Sequence, residues 1–436
     1  MFDATARLRD RAIGALKANP NIPEAIAAFA IKLVGAALSF GFSFMVARAL
    51  GASGTGSFAL AQTTGLVGST VALIGLDYVL LRDMAGSVRA GDPGAARNAA
   101  RTATVIVLVS SLVVGALVAI AGSSMLKAAA GHGIDNRLLL LAAIAVLPLA
   151  MNRIVITSVR GAGGILAAQW LEGPQAMLLA VVILACLIAT GFAIDAFGIT
   201  LLFFAASSTS AIAAGFVYAA RARDWPAATI QPVRPMLQQG WQISFIVLSR
   251  MLVDWIVLIS LSLSHSVAEV GQFRTAWQIT SLIALIFTTF DTVSGPRIAA
   301  AYRVGETAAI RTILRQAIKT MCVLSAPLFL VIFLFPAWLL GLFGPEFIAG
   351  ASALRLLALG QLVNILSGPL GSVLLMTGEE RWSARISVAS LGLLAVLCAT
   401  IIPAWGLNGA AITTSLLILF RTGTQSIIVR RKFAGK

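Results

Sequence analysis

Apolar runs of membrane-spanning length recur from one end of the chain to the other, separated by short polar stretches. A helix needs roughly 20 apolar residues to cross about 30 Å of hydrocarbon. On that measure the pattern predicts about twelve spanning helices, at 26–50, 56–81, 102–122, 138–158, 174–192, 196–220, 241–263, 268–294, 319–341, 353–376, 386–402 and 407–428. The fold class is therefore an all-α polytopic membrane protein. Its expected parts are an N-terminal segment (1–25), a first six-helix bundle (26–220), a linker (221–240), a second six-helix bundle (241–428) and a basic tail (429–436).

The pattern also repeats. GSFALAQTT (Gly56 to Thr64) opens the second span, and GQFRTAWQIT (Gly271 to Thr280) opens the eighth, about 215 residues later. Asp77 lies opposite Asp291, and Arg82 opposite Arg297. The stretch RAGDPGAARNAAR reappears as RVGETAAIRTILR. A fainter echo joins AFGIT (Ala196 to Thr200) to AWGLN (Ala404 to Asn408). Six spans followed by six in the same orientation make a parallel repeat. Such repeats place a substrate site at their interface.

Composition sharpens this picture. The chain is 59% hydrophobic and 11% charged, where soluble domains carry about 25% charged residues. The net charge of +15 could suggest nucleic acid, but the basic residues sit in short loops and no soluble basic domain could hold a duplex. They alternate by side. Arg82, Arg89, Arg97 and Arg101 fall on one side, as do Arg160, Arg221, Arg223, Arg234, Arg297, Arg303, Arg311, Arg315, Lys319, Arg381, Arg385 and the basic tail. The positive-inside rule makes that side cytoplasmic and puts both termini there. The outer loops are short: Gly51 to Thr55, the stretch around Asp195, and Ser264 to Val267. They hold no clustered acid, histidine or nucleophile, which argues against a membrane-embedded ligase or polymerase. GASGTGSF (Gly51 to Phe58) lacks the lysine of a phosphate loop and reads as a tight outer turn. Cys186, Cys322 and Cys398 read as small core residues, and His132 and His265 as solvated loop residues; no metal site or disulfide framework is suggested. Arg7, Arg9, Arg11 and Lys17 precede the first span without a cleavage site, so no cleavable signal is expected. Phe2, Leu8, Ile13 and Leu16 could form one side of an interfacial helix.

The candidate chemistry lies where polar residues enter the spans. Arg250 and Asp254 sit near the middle of the seventh span, where each charge costs roughly 2.5–3.5 kcal/mol. They either face a polar chamber or pair with each other at i+4. The eighth span carries Arg274, Gln278, Ser281, Thr288 and Thr292 on one stripe. Gln62, Gly65 and Ser69 mark the second span, and Lys32, Gly35, Ser39 and Ser43 the first. These stripes line a cavity or pack helix on helix. Arg153 lies in the fourth span; Arg48 and Arg421 read as snorkelling residues. A convergence of Lys32, Arg153, Arg250 and Arg274 would suit a phosphate or pyrophosphate. Asp77 with Arg82, and Asp291 with Arg297, are candidate gate pairs at the cytoplasmic ends of equivalent helices, or plain surface ion pairs. Asp254 and Glu172 are the other acids placed to carry a coupling proton. Pro148 and Pro369 are expected to bend the fourth and tenth spans.

The stretches ARALGASGTGSFALAQTT (Ala47 to Thr64), LIGLDYVLLRDMAG (Leu73 to Gly86) and GLNGAAITTSLL (Gly406 to Leu417) resemble polysaccharide-transporter flippases of the Wzx type. These belong to the multidrug/oligosaccharidyl-lipid/polysaccharide (MOP) exporter superfamily, and the helix number and repeat extend the likeness over nearly the whole chain. The resemblance implies a V-shaped pair of bundles around a central cavity. It implies alternating-access translocation of an undecaprenyl-diphosphate-linked oligosaccharide across a bacterial inner membrane, with no enzyme activity and no cofactor. A proton or sodium gradient is the coupling option. The implied partners are the lipid-linked glycan, membrane lipids and the polysaccharide polymerase and chain-length machinery. Family cavities are cationic, and the matching positions here are Lys32, Arg250, Arg153 and Arg274. Relatives that flip the peptidoglycan precursor carry two further helices. Drug exporters rely on an acidic residue in a membrane helix, and this chain has Lys32 in the first span. Drug or cation antiport stands as the alternative.

Overall fold

The computed structural model describes residues 21–128, 135–226 and 232–434. The N-terminal segment expected to lie at the interface, and His132, fall outside the described residues. Every regular element among the described residues is helical. In hydrocarbon this is the economical solution, because a helix satisfies its own backbone polar groups.

Helix α1 (Asn21–Leu73) carries the first two crossings and is interrupted at Gly51 (φ 64°, ψ −169°). The chain reverses there. The Phe42 and Phe58 ring centroids are 5.9 Å apart, whereas sixteen residues of straight helix would separate them by about 24 Å. The expected outer loop thus shrinks to one glycine, and residues 52–55 already belong to the second arm. α14 (Glu380–Ala434) repeats the device at Gly406 (φ 52°, ψ −128°). Between them run α2 (Leu76–Arg89), α3 (Pro93–Ala128), α4 (Asn136–Gly161), α5 (Ile165–Leu171), α6 (Pro174–Ala189), α7 (Ala196–Arg221), α8 (Val233–Ser264), α9 (Val267–Val304), α10 (Thr307–Leu334), α11 (Pro336–Gly341), a 3-10 turn (Pro345–Gly350), α12 (Ala351–Ser367) and α13 (Leu370–Met376). Ten helical stretches among the described residues are long and apolar enough to span a membrane. Two of them hold a chain reversal, so the crossings number twelve.

Local chemistry moved several expected boundaries. Pro148 stays inside α4, but Pro369 does not bend a helix. Gly368 at φ 73° ends α12, and Pro369 precedes α13. The ninth span is displaced toward the N-terminus: α10 ends at Leu334, and Phe335 leaves the helical region just before Pro336. A residue that precedes proline is disfavoured in the α region. The second span breaks at Ile74 (φ 50°) and Gly75 (φ 70°) before α2 begins.

Two packed groups result. Phe42, Leu184, Ile199 and Phe203 centre the first, and Leu258, Ile283, Phe347 and Leu354 the second. Their outer faces are apolar: Leu117, Ile120, Ile212 and Phe216 are all more than half exposed, as lipid-facing residues are. Buried hydroxyls mostly turn back on their own helix, as Ser207 does to the Phe203 carbonyl (2.9 Å) and Thr414 to Ala410 (2.9 Å). The groups meet along the second arm of α1, which lies against α8 and α9.

Candidate functional site between the halves

The second arm of α1 touches the other half at three levels. On the outer side it crosses α9 backbone to backbone. A Cβ on Gly56 would fall 1.9 Å from the Val267 carbonyl oxygen, and one on Gly271 would fall 1.9 Å from that of Ala52. These are the two glycines that open the sequence repeat. Midway, the Trp255 indole N–H donates to the Thr64 hydroxyl (3.0 Å), and the Thr70 hydroxyl meets the Met251 sulfur (3.0 Å). Toward the cytoplasm, Gly75 abuts Gly240 so closely that a Cβ would lie 2.3 Å from the Gly240 carbonyl oxygen.

The two faces of this arm look onto different environments. One face lines a narrow cleft of roughly 20 Å³, in which polar side chains alternate with Val46, Phe58 and Phe343. There Gln62 and Thr55, with Ser43 from the first arm, meet Arg274 and Gln278 of α9. Asp254 of α8 acts electrostatically on the Arg274 guanidinium. Lys32 is exposed and sits on the Ser43 face of the first arm, eleven residues earlier and so about three turns away. The opposite face lines a lateral groove of roughly 340 Å³, walled by Leu60, Val67 and Val71 of α1, Leu117 of α3 and Leu252 and Ile259 of α8. Nearly all of that wall is hydrocarbon.

Of the residues singled out by sequence, the structure thus gathers Arg274 and Gln278 in the cleft and brings Asp254 within electrostatic reach. The side chains of Arg250 and Thr292 lie outside the described residues. Arg153 is elsewhere. It donates to Asp77 (2.7 Å) and to the Thr70 hydroxyl (3.0 Å) in a separate polar pocket inside the first half. This corrects the Asp77–Arg82 pairing: Arg82 is exposed and binds Asp83 and Gln239 instead. A step of five residues puts Arg82 on another face of α2, while Arg153 comes up from α4 beside the break. The expected Asp291–Arg297 pair is replaced likewise. Asp291 accepts from the Ser372 hydroxyl (2.6 Å), and Arg297 is exposed. Glu172 pairs with Arg160 (2.7 Å). Gly65 and Ser69 do not reach the cleft. Gly65 packs on Phe204 inside the first half, and the Ser69 hydroxyl turns back to the Leu66 carbonyl. Ser281 likewise donates to its own helix. His265 is half-buried rather than solvated, 3.6 Å from the Glu269 carboxylate and 3.2 Å from the Ile402 carbonyl oxygen.

Sequence reasoning passed over Trp255, Glu346 and Glu269. Trp255 lies within an apolar run, and the two glutamates have no lysine or arginine within a helical turn of them in sequence.

Comparison with known proteins agrees with this architecture. The MatE family model matches residues 243–401. Among curated proteins, the chain is 24% identical over 170 residues to the "Probable low-salt glycan biosynthesis flippase Agl15" of Haloferax volcanii. That match covers 39% of this chain and only 36% of the relative's length. Among solved structures, an inward-facing multidrug resistance MATE family transporter of the MOP superfamily superposes with a TM-score of 0.73 at 17% identity, over 94% of this chain and 98% of that one. A MOP superfamily transporter from Pyrococcus furiosus, described by a reverse polarity of its binding pocket, gives 0.63 at 17% identity over 94% of each chain. The chain is a multi-spanning, all-α membrane protein with the V-shaped fold of the MATE/MOP transporters.

Proposed function

We propose that this protein is an alternating-access transporter that flips a lipid-linked oligosaccharide, its anionic headgroup travelling through the cleft, across a bacterial inner membrane. One observation carries the reading. A small cleft into which Arg274, Gln278 and Gln62 converge and an apolar lateral groove lie on opposite faces of the same helical arm. An amphiphile with an anionic head and a long hydrocarbon chain needs both environments side by side. The guanidinium would hold a phosphate by charge-assisted hydrogen bonds, with Gln278 and Gln62 as neutral donors and Lys32 extending the positive field. Burying the chain in the groove is favourable at about 0.8 kcal/mol per methylene taken from water. The likeness to the probable glycan biosynthesis flippase of Haloferax volcanii supports this reading.

A second reading, ion-coupled drug or cation antiport, has its own support. The family model and the multidrug transporter structures favour it, and Asp254 supplies a membrane carboxylate within electrostatic reach of Arg274. Reconstitution into liposomes separates the two. Flipping of a short pyrophosphate-linked glycan, absent for an uncharged lipid analogue and lowered at least tenfold by Arg274→Gln, is the expected result. Equal movement of both lipids, or gradient-driven uptake of a cationic dye abolished by Asp254→Asn, would overturn it in favour of the second reading.

A further inference from the structure

Two breaks in the backbone share one chemistry. Gly51 and Gly406 each reverse the chain between two helical arms, and both hold positive φ. The residue after each glycine begins an arm, so its N–H lacks an intrahelical acceptor. A distant glutamate supplies one. Ala52 N–H donates to Glu346 Oε2 at 2.8 Å, and Leu407 N–H donates to Glu269 Oε2 at 2.8 Å. Neither glycine has room for a side chain. A Cβ would lie 2.8 Å from the carboxylate at Gly51 and 2.7 Å from it at Gly406. Each carboxylate also faces the positive end of the arm it caps.

The two caps differ in what they join. Glu269 is on α9 and caps α14, both in the second half. Glu346 is on the 3-10 turn of the second half and caps an arm of the first. Its own position is fixed from behind, because the Gln272 side chain donates to the Glu346 carbonyl oxygen at 2.8 Å. The bond to Ala52 lies one helical turn from the Gly56–Gly271 crossing, at the point where the halves close on the extracytoplasmic side. At that crossing backbone meets backbone, and beside it Phe343 of the second half packs edge-on against Phe40 and Phe44 of the first arm. Glu346 is exposed, so outer water can take over its bond.

We infer that Glu346 is the latch of the extracytoplasmic closure: its carboxylate must leave the Ala52 N–H each time that side opens, whereas Glu269 is a permanent cap. The inference rests on the alternating-access reading and not on the cargo. A charge-assisted bond at the water's edge suits this role. It biases a two-state equilibrium by about tenfold without freezing the protein in one state.

The test needs no cargo. Spin labels are placed at Ser53 and Ala349, exposed outer positions on opposite halves, in a full-length protein whose three cysteines are replaced. Inter-label distances are then measured in proteoliposomes. Glu346→Ala is expected to raise the ratio of long-distance to short-distance population by about tenfold, and Glu346→Gln by a smaller factor in the same direction. Glu269→Ala is expected to lower the melting temperature while leaving the distance distribution at that of the parent. An unchanged distribution in Glu346→Ala overturns the latch. So does an equal shift in Glu346→Ala and Glu269→Ala, which would mean that loss of either cap merely loosens the helices. Failure to flip the glycan lipid with a shifted distribution would count against the cargo alone.

Discussion

The second arm of α1 with α2, and α9, are equivalent stretches of the two halves, and they fold differently. α9 runs unbroken for 38 residues from Val267 to Val304. Its counterpart stops at Leu73, passes through Ile74 and Gly75 at positive φ, and restarts at Leu76. The spacing of the repeat tells why. From Gly56 and Gly271 to Asp77 and Asp291, the first half contains one residue more than the second. An extra residue in a helix turns everything after it by about 100°. The break absorbs that rotation, and beyond it the halves match again: Gly91 and Gly305 both sit at positive φ between helices. The difference puts a seam in one half only, where that half touches the other at Gly240, with Arg153 bonded to Thr70 before the seam and Asp77 after it. One half thus carries a braced joint and the other a continuous rod, with Pro296 inside it.

The largest effects are expected where backbone meets backbone. Gly56→Leu puts a side chain where a Cβ alone would lie 1.9 Å from a carbonyl oxygen. The clash is with backbone, which cannot rotate aside, so the outer crossing must open. Transport should be abolished and thermal stability should fall by about 3 kcal/mol. Gly75→Ala meets both a positive φ and the Gly240 carbonyl, for a loss of about 2–3 kcal/mol. Gly305→Ala has the same sign of φ in the second half but nothing within 4 Å of the new Cβ, so about 1 kcal/mol is expected. Melting curves in detergent check the order. Equal losses at Gly75 and Gly305 would remove the contact with Gly240 from the account.

Next comes the brace. Arg153→Met leaves Asp77, whose side chain is only 13% exposed, without its cation. Fully buried pairs cost 3–5 kcal/mol when one partner is removed. Arg153 is 32% exposed, so about 2 kcal/mol is the expected loss once water's share is allowed. The double variant Arg153→Met with Asp77→Asn should recover at least half of it. No recovery in the cycle would mean that Arg153 acts mainly through its hydrogen bond to Thr70.

How much of this could be read from the sequence depends on the kind of signal. The twelve spans rest on long apolar runs, so local exceptions average out. Arg274 and Gln278 were visible because polar residues in hydrocarbon are costly wherever they face. Partners were not visible. Asp77 has Arg82 five residues away in sequence, yet Arg153, 76 residues on, reaches it from α4. Which cation reaches a carboxylate depends on how helices rotate against one another, and the rotation of α2 was set by a one-residue insertion at Ile74–Gly75. Glu346 and Glu269 were hidden for a related reason. Their partners are backbone N–H groups, which no side-chain pattern reports.

The smallest effect expected is at the second-half counterpart of the brace. Asp291 takes its hydrogen bond from the neutral Ser372 hydroxyl at 2.6 Å, and no break in α9 needs holding. Ser372→Ala removes one hydroxyl donor and leaves a partly buried carboxylate that water can still reach, at a cost of about 1 kcal/mol. It should not alter the distance between the halves on the cytoplasmic side, because the bond joins α9 to α13 within one half. Arg153→Met should alter that distance, since its bonds span the seam that rests on Gly240. Labels at Arg89 and Arg303, exposed at the cytoplasmic ends of α2 and α9, would read the contrast. If Ser372→Ala moved them as far as Arg153→Met did, both aspartates would be gate elements after all, and the asymmetry between joint and rod would have no functional weight.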